Sequence, residues 1–438
     1  MTARVRETVL SACLLATLTA CPAPGTRSSE PTTAASSVAS SAASSAAAPL
    51  PAVGTDASIG LPAYPGPPSG GPRSTGPVTR VRAAVDLTSV AAGLAAQVRF
   101  AVATPGGGAY VVLSPDGGGH PQQLGTVRLT PAGYRVTHTV PLPMADVWGL
   151  HLLADGRVVA TGPIDPLDAT VQDYGFAVVD PATGGVRTTR LVPFGPPRDL
   201  AVGRSTVGGD GRTLFLFLSL SAGPSPREQL LSADTTTGAL LYDRDLSNDV
   251  ESTSQAPAAH DVAGLVPRPD GGVTLVLDAT PQATRAGRIP TLLRYDRRLA
   301  PDGDPVRVTS LAERAQTRAV AAGRDGTVFL AVSVPDGAWI LAVTDHGGAG
   351  PVLAQLPGSL VGPALVVEPA QVWALVAGAT GARALDLTTG RVRPPIDLGC
   401  AGQHLRAMVP GSGGVGALVA GECTSGSTRS PMLWILGP

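Results

Sequence analysis

Lysine is absent from this 438-residue chain, so arginine supplies all 32 of its Lys and Arg side chains. Only 15% of the residues are charged, and the formal net charge at pH 7 is -1. A nucleic-acid-binding protein needs a basic patch or stripe, and this near-neutral balance does not indicate one. We attribute the exclusive use of arginine to GC-rich coding rather than to selection for phosphate binding.

Sequence features of helical and several enzymatic folds are missing as well. After the N-terminal leader, no run of 18 apolar residues occurs, so no transmembrane helix is expected. No segment shows a convincing 3.6-residue periodicity, and no nucleophile elbow, P-loop or HExxH motif is present. Glycine clusters such as "GGGAY" (residues 106–110) fall in expected β-turns rather than at helix starts, which argues against phosphate binding.

Residues 1–20 have the organisation of a secretory signal. Arg4 and Arg6 give a positive start, and residues 9–20 are apolar but too few to span a bilayer. The segment runs into "LTAC", which ends at Cys21 and resembles a bacterial lipobox. The resemblance implies cleavage before Cys21, diacylation of its thiol, and an extracytoplasmic protein that is lipid-anchored to the cell membrane. The alternative is an ordinary signal peptide with a chance cysteine.

Residues 21–77 begin with this cysteine and continue as Ser, Ala, Pro, Thr and Gly with almost no charge. Such a composition buries too little apolar surface to offset the entropy of folding, so we expect disorder. A flexible chain of this length spans about 40 Å on average. The segment therefore predicts a tether that holds a folded domain, residues 78–438, away from the membrane.

From residue 78 onward, short apolar runs alternate with Gly, Asp and Pro, and the pattern repeats. Each copy contains two predicted strands around a tight turn that is often Asp-Gly, because glycine adopts positive φ readily. Seven such turns are spaced roughly 43 to 60 residues apart, as in repeat proteins. They lie near Gly106, Asp155, Asp210, Asp270, Asp325, Pro369 and Gly413.

A second turn follows in each copy, clearest as "DPATG", "DTTTG" and "DLTTG" from Asp180, Asp234 and Asp386. We expect the Asp to accept backbone N–H bonds and the Gly to take the left-handed conformation. Weaker versions stand near Asp296 and Asp345. Two hairpins make a four-stranded propeller blade. The sequence therefore predicts an all-β, seven-bladed β-propeller, with six or eight blades left open.

The last copy is one strand short, and residues 78–87 precede the first copy without a hairpin of their own. We expect this N-terminal strand to complete the final blade and close the ring, which removes exposed sheet edges.

Cysteine usage gives one further expectation. Cys13 leaves with the signal and Cys21 is assigned to lipidation, so Cys400 and Cys423 remain as a pair in an oxidising compartment. A hairpin centred between Gly411 and Ser412 would place these two residues opposite each other, within disulfide range. We therefore expect a disulfide, and no metal site, because two cysteines are too few.

The Asp-x-x-Thr-Gly turns, in blades with Asp-Gly hairpins, resemble the quinoprotein-like and YncE-like propeller superfamily over residues 80–438. Quinoprotein dehydrogenases usually carry a Trp shortly after the Thr-Gly, yet none follows Gly184, Gly238 or Gly390. The vicinal cysteine pair that some of those enzymes place against the cofactor is missing too. Both departures argue against bound pyrroloquinoline quinone, and no cofactor is expected.

The first strand of each blade lines the central channel of a propeller, and polar residues mark the starts of these strands. Asp146, Asp199 and Asp261 stand at what we take to be one repeat position. Such residues could bind a polar ligand or a cation, or hold acid/base groups. The alternative is that each Asp caps the loop before its strand. The candidate residues are Asp146, Arg198, Asp199, His260, Asp261, Arg318 and His404, with Arg406 nearby.

The leader, the tether and the missing catalytic motifs favour a surface-anchored, non-catalytic binding module for a protein or envelope component. The main alternative is an extracytoplasmic enzyme, a lactonase-type or other hydrolase, acting at the channel mouth. A third possibility is a structural protein without a small-molecule site. A close-packed cluster of the candidate carboxylates and histidines with shifted pKa values would favour the enzyme.

Overall fold

The arrangement of strands in this chain is described from a computed structural model. The expected leader and tether, and the expected turns near Asp325, Asp345, Pro369 and Gly413, lie wholly or partly outside the described residues. Within the described part of the chain, no helix is long and apolar enough to cross a membrane. The described residues are 78–90, 96–115, 121–130, 133–164, 172–194, 201–220, 227–246, 249, 261–279, 289–308, 311, 315–323, 326–335, 337–344, 348–367, 373–378, 381–387, 389–400, 402–412, 415–425 and 428–438.

The described strands form seven antiparallel sheets, which are the seven blades of a β-propeller. Blade 1 contains β2 (Ala96–Ala103), β3 (Ala109–Pro115), β4 (Gln122–Thr130) and β5 (Gly133–Leu142). Blade 2 contains β6 (Gly149–Leu152), β7 (Val158–Pro163), β8 (Gln172–Asp180) and β9 (Gly185–Phe194). Blade 3 contains β10 (Ala201–Val207), β11 (Thr213–Leu220), β12 (Arg227–Asp234) and β13 (Leu240–Asp245).

The later blades follow the same order from the channel outward. Blade 4 contains β14 (Asp261–Pro267), β15 (Val273–Ala279), β16 (Ile289–Tyr295) and β17 (Val306–Arg307). Blade 5 contains β18 (Gln316–Ala322), β19 (Val328–Val334), β20 (Gly337–Thr344) and β21 (Gly348–Leu356). Blade 6 contains β22 (Leu360–Val367), β23 (Trp373–Gly378) and β24 (Gly381–Asp386). Blade 7 contains β25 (Gly402–Pro410), β26 (Ala417–Ser425), β27 (Thr428–Gly437) and β1 (Arg80–Asp86).

Blade packing explains why the second strand of each blade is almost continuously apolar. In β11, Leu214, Leu216 and Leu218 pack against blade 2, whereas Phe215 and Phe217 pack against blade 4. Because successive side chains point to opposite faces, a strand buried on both faces needs apolar residues at every position. Full burial of one such Leu or Phe side chain contributes about 1.5–3 kcal/mol. Seven apolar clusters of this kind join successive blades around the whole ring.

The second turns have the predicted geometry. In "DTTTG", the N–H of Thr236 donates to the Asp234 carboxylate at 2.7 Å, and Gly238 has a φ of 83°. The Gly238 N–H closes the turn on the Asp234 carbonyl at 2.8 Å. The turn that starts at Asp180 repeats these contacts, and in the turn at Asp386 the Thr389 N–H donates to the carboxylate at 3.2 Å. The weaker version at Asp296 keeps the carboxylate contacts but places Leu299 in the left-handed region, with a φ of 63°.

The seventh blade is completed by the N-terminal strand, as the short final copy indicates. β1 pairs antiparallel with β27, from Arg80 opposite Gly437 to Asp86 opposite Met432. Val85 and Leu87 are buried in the cluster between blades 7 and 1. The two ends of the domain therefore share one sheet. Among the described strands, blade 6 has three and lacks an outer strand. There, the N–H groups of Arg393 and Ile396 bond to carbonyls of β24 instead.

The disulfide between Cys400 and Cys423 is present, with a Cα–Cα distance of 5.7 Å, but the register behind its prediction was wrong. Cys423 faces Gln403 in the β25–β26 ladder, and Cys400 precedes β25. The hairpin closes from Gly411 to Gly416, so its centre lies two residues later than assumed. The bond therefore attaches the segment that enters blade 7 to its second strand.

Deleting residues 1–87 should destabilise the propeller far more than deleting residues 1–77, because only the longer deletion removes β1. The loss exposes the β27 edge and the apolar side chains that Val85 and Leu87 cover. Thermal unfolding followed by circular dichroism should show a lower midpoint, or an insoluble product, for the longer deletion alone. Equal midpoints would show that closure by β1 is unimportant.

Replacing both cysteines by serine should lower the free energy of unfolding by about 3 kcal/mol, as loop entropy predicts for a separation of 23 residues. Urea unfolding of the double variant C400S/C423S measures this loss. The reduced native protein is the matched control and should show the same loss. A double variant as stable as the oxidised protein would contradict the expected contribution.

Candidate functional site

The up-and-down order of the strands assembles one face of the ring around the channel. The starts of the first strands meet the ends of the second strands and the starts of the third strands there, because neighbouring strands are antiparallel. We call this face the channel mouth. The Asp-Gly turns and the Asp-x-x-Thr-Gly turns lie at the opposite face.

β-bulges place arginine at one level of the channel. In β2, β14, β18 and β25 the pairing register shifts around a single residue, which is Arg99, Ala263, Arg318 or Arg406. Each stands five residues before the residue whose N–H closes the first hairpin of its blade. A bulge leaves its extra residue out of the ladder and changes the direction of its side chain.

The same count in blade 3 reaches Gly203, and the next residue is Arg204. The first strands of blades 1, 3, 5 and 7 therefore each carry an arginine near this level. We call these four residues, Arg99, Arg204, Arg318 and Arg406, the arginine ring.

One cavity at the mouth spans four blades and has a volume of about 330 Å³. Its wall includes Arg406 of blade 7, Arg99 of blade 1, Asp146 before blade 2 and Arg204 of blade 3. A space bounded by four blades is the central channel, since the gap between two blades would contact only those two. The edge of Trp148 also lines it, and Gly203 packs closely against the same indole.

A second cavity, of about 380 Å³, spans blades 3, 4 and 5. Arg204 belongs to its wall as well, so this side chain lies between the two cavities. The remaining polar lining consists of side chains from three blades: Ser219, Glu228, Asp261, Gln316, Thr317 and Arg318.

Two members of the arginine ring are paired with carboxylates. Arg406 Nε lies 3.2 Å from Glu422 Oε1, and the Glu422 side chain is only 1% exposed. Arg99 lies 3.7 Å from Asp146, and this carboxylate is more exposed than Glu422, at 28%. Among the described residues, Arg204 and Arg318 form no ion pair. Arg204 donates to the Gly203 carbonyl at 3.0 Å, and Arg318 donates to the Ser333 hydroxyl at 3.4 Å.

Burial shifts the ionisation of two groups beside the second cavity. The surrounding protein lowers the pKa of Arg204 from its ordinary value, because desolvation disfavours the charged guanidinium. Burial raises the pKa of Asp278, although hydrogen bonds from Thr317 and the positive charge of Arg318 partly oppose the shift. The Thr317 N–H and hydroxyl donate to this carboxylate at 2.7 and 2.6 Å, which joins blade 4 to blade 5.

The structure separates the residues that the sequence grouped together. Asp146 lines the first cavity, Asp261 and Arg318 line the second, and His404 is exposed and lines neither. Arg198, Asp199 and His260 lie outside the described residues. No group of three or more His, Cys, Asp or Glu side chains suited to a metal forms within the described ranges.

Asp146 also has the contacts expected of a loop cap. Its carboxylate accepts the N–H of Val147 at 2.9 Å and the indole N–H of Trp148 at 3.2 Å. The supposed repeat position of the three Asp residues does not hold either. Asp146 and Asp261 stand seven residues before their hairpin closures, whereas Asp199 stands nine before Gly208.

Sequence reasoning missed Arg99 and Arg204, because it aligned the first strands on aspartate. Counting back from the first turn of each blade is the signal that finds Arg99, Arg318 and Arg406. Arg204 lies one residue after the position that this count reaches, so it is found only from its place in the walls of the two cavities.

Sequence reasoning also missed a polar cluster between blades 2 and 3. His151 Nε2 lies 2.8 Å from the Ser205 hydroxyl, which lies 2.8 Å from the Thr161 hydroxyl. A Cβ at Gly149 would collide with Ser205, so the cluster requires glycine there. Burial lowers the pKa of His151 to about 4, so the imidazole is neutral at physiological pH.

No protein-family model matches this chain, and no curated protein is similar to it in sequence. Solved structures do match its fold. Oligogalacturonate lyase from Vibrio parahaemolyticus has a TM-score of 0.54 at 10% identity, and the match covers 82% of this chain and 96% of the lyase. The β-propeller domain of Cps50 (Swd1) from Myceliophteria thermophila has a TM-score of 0.52 at 11% identity, over 81% of this chain and 99% of that domain.

A third match, puromycin hydrolase, has a TM-score of 0.50 at 16% identity over 82% of this chain. It covers 55% of the hydrolase, so this chain corresponds to about half of that protein. At such identities these structures show the β-propeller fold alone.

Lowering the pH should destabilise the native protein through His151. Its folded pKa of about 4 lies below its ordinary value of 6.5, so its contribution is complete above pH 6.5 and is lost as the pH falls through 4. The shift corresponds to about 3 kcal/mol at most. Urea unfolding from pH 7 to pH 4 should therefore show a steeper loss for the native protein than for H151Q, whose side chain does not titrate. Parallel curves would contradict the assignment.

Proposed function

We propose that this protein is a surface-anchored, non-catalytic binding module that captures a protein or envelope component at the mouth of its propeller channel. The arginine ring is the observation that carries the proposal. It presents guanidinium groups from four blades to two open cavities, and two of these groups, Arg204 and Arg318, form no ion pair among the described residues. Arginine is enriched at binding surfaces because its planar fork recognises carboxylates and phosphates with paired hydrogen bonds.

The remaining parts of the proposal come from the sequence. The lipobox-like "LTAC" supports anchoring through Cys21 to the cell membrane, and the composition of residues 22–77 supports a long tether. The Asp-x-x-Thr-Gly turns, with their carboxylate contacts, support placement among the quinoprotein-like and YncE-like propellers. A tether of this kind would let the channel mouth meet partners at a distance from the lipid surface.

The alternative is an extracytoplasmic hydrolase, which the contact between Ser205 and His151 favours. Histidine activates a hydroxyl nucleophile by accepting its proton, and this pair is within hydrogen-bond distance. However, a pKa of about 4 makes His151 a weak general base at neutral pH. Thr161 also shares the Ser205 hydroxyl. These contacts suit a structural cluster better than a reactive one, so the binding module is our conclusion.

Chemical crosslinking in intact cells tests the proposal, with the tethered chain and a soluble form of residues 78–438 as baits. We expect both forms to capture the same envelope component, because the channel mouth belongs to the propeller. The charge-reversal variant R204E/R318E should lose the capture. A matched charge reversal at Arg135, which is exposed on the outer strand of blade 1, should retain it.

The outcome that contradicts the proposal is equally specific. If a fluorophosphonate labels wild type but not S205A, and no component is captured, the binding module is wrong and the hydrolase is favoured.

A further inference from the structure

The two arginines of the ring that form no ion pair among the described residues line the same cavity, although the charge of Arg318 also acts on the Asp278 carboxyl. Arg204 and Arg318 stand on the first strands of blades 3 and 5, with blade 4 between them. Within the described residues, their hydrogen bonds go to a carbonyl and a hydroxyl. The other two members of the ring differ, because Glu422 and Asp146 stand close to Arg406 and Arg99.

An unpaired guanidinium in a confined space is costly unless a ligand supplies the anion. Removing a cation from water disfavours its charged form, and an opposite charge nearby reverses that effect. The pKa of Arg204 is lowered by desolvation alone, whereas the pKa of Arg212 is raised by its pairing with Asp234. An anion bound beside Arg204 would therefore offset the desolvation of its guanidinium charge.

The rest of the cavity wall restricts the anion to low charge. Glu228 and Asp261 line the same space and are themselves acidic, so a dianionic phosphate would meet repulsion that a singly charged carboxylate meets less. Gln316 also lines the cavity, and its side-chain amide can both donate and accept hydrogen bonds. A ligand that suits the whole wall therefore carries hydroxyl or ammonium donors as well as its carboxylate.

We propose that the cavity between Arg204 and Arg318 binds a small polar carboxylic acid, or one such unit of a larger envelope component, with its carboxylate between the two guanidinium groups. The inference rests on the proposed function, since it names the chemistry recognised at the same mouth. A volume of about 380 Å³ is near the lower end of ordinary ligand pockets and suits one sugar-acid or amino-acid unit.

Isothermal titration of the purified full-length chain, kept in detergent with its lipid, tests this inference with four probes. Glucuronate and glucose share a ring and differ at the carboxylate, alanine represents amino acids, and inorganic phosphate represents dianions. We expect glucuronate or alanine to bind, with glucose and phosphate at least about 10-fold weaker. Which of the two acids binds more tightly separates a sugar acid from an amino acid as the source.

Variants locate the binding. R204A and R318A should each weaken binding of the preferred acid by about 10-fold or more, because each removes a charged hydrogen-bond donor. The control R135A changes an exposed arginine on blade 1 and should bind as the native protein does. Thermal unfolding shows whether each variant is folded. R204A should unfold no earlier than wild type, since it removes a desolvated, unpaired charge.

Three results would overturn the inference: no acid binding better than glucose, phosphate binding better than both acids, or R135A weakening binding as much as R204A and R318A do. Failure of the site and failure of the function are distinguishable. If acids fail to bind while crosslinking still captures a component, the cavity assignment is wrong and the binding module stands. If an acid binds at Arg204 and is converted to product, the cavity stands and the non-catalytic function is wrong.

Discussion

Each blade of this propeller must bury two faces at once, and the rest of the molecule depends on how it does so. A single four-stranded sheet of this size cannot cover its own apolar surface, so every blade needs a neighbour on both sides. The seven interblade clusters satisfy this need only when the ring is closed, and the cluster between blades 7 and 1 includes side chains from both ends of the domain. Closure is therefore a condition of stability.

Closure of the ring also determines which residues of the inner strands can vary without loss of packing. Their neighbours in the sheet and the adjacent blades hold them, so the residues that face the channel contribute little to the apolar clusters. Bulges at Arg99, Arg318 and Arg406 use this freedom, because a residue outside the ladder can turn its side chain into the channel without breaking the clusters on either side. The packing between blades keeps the fold rigid, and the residues that face the channel determine which polar groups are presented there.

The parts of the fold that were predictable from sequence have local causes. The Asp-x-x-Thr-Gly turns need an acceptor at Asp and a left-handed residue at Gly, and both requirements can be read from a few letters. The pairing of Cys400 with Cys423 followed from elimination. The register around it did not, because Gly411 to Val415 offers several possible turn centres and the bulge at Arg406 leaves no sequence mark. Alignment on aspartate also missed Arg99, because the level of a residue in the channel is set by its distance from the first turn of its blade.

The charged side chains at the mouth fall into two groups. Some form contacts between strands, whereas others form no ion pair among the described residues. Asp278 is committed to Thr317, and Glu422 is buried beside Arg406, so these carboxylates join strands. Arg204 forms no ion pair among the described residues, and burial lowers the pKa of its guanidinium. Its position between two cavities supports the binding role that we propose for the channel mouth.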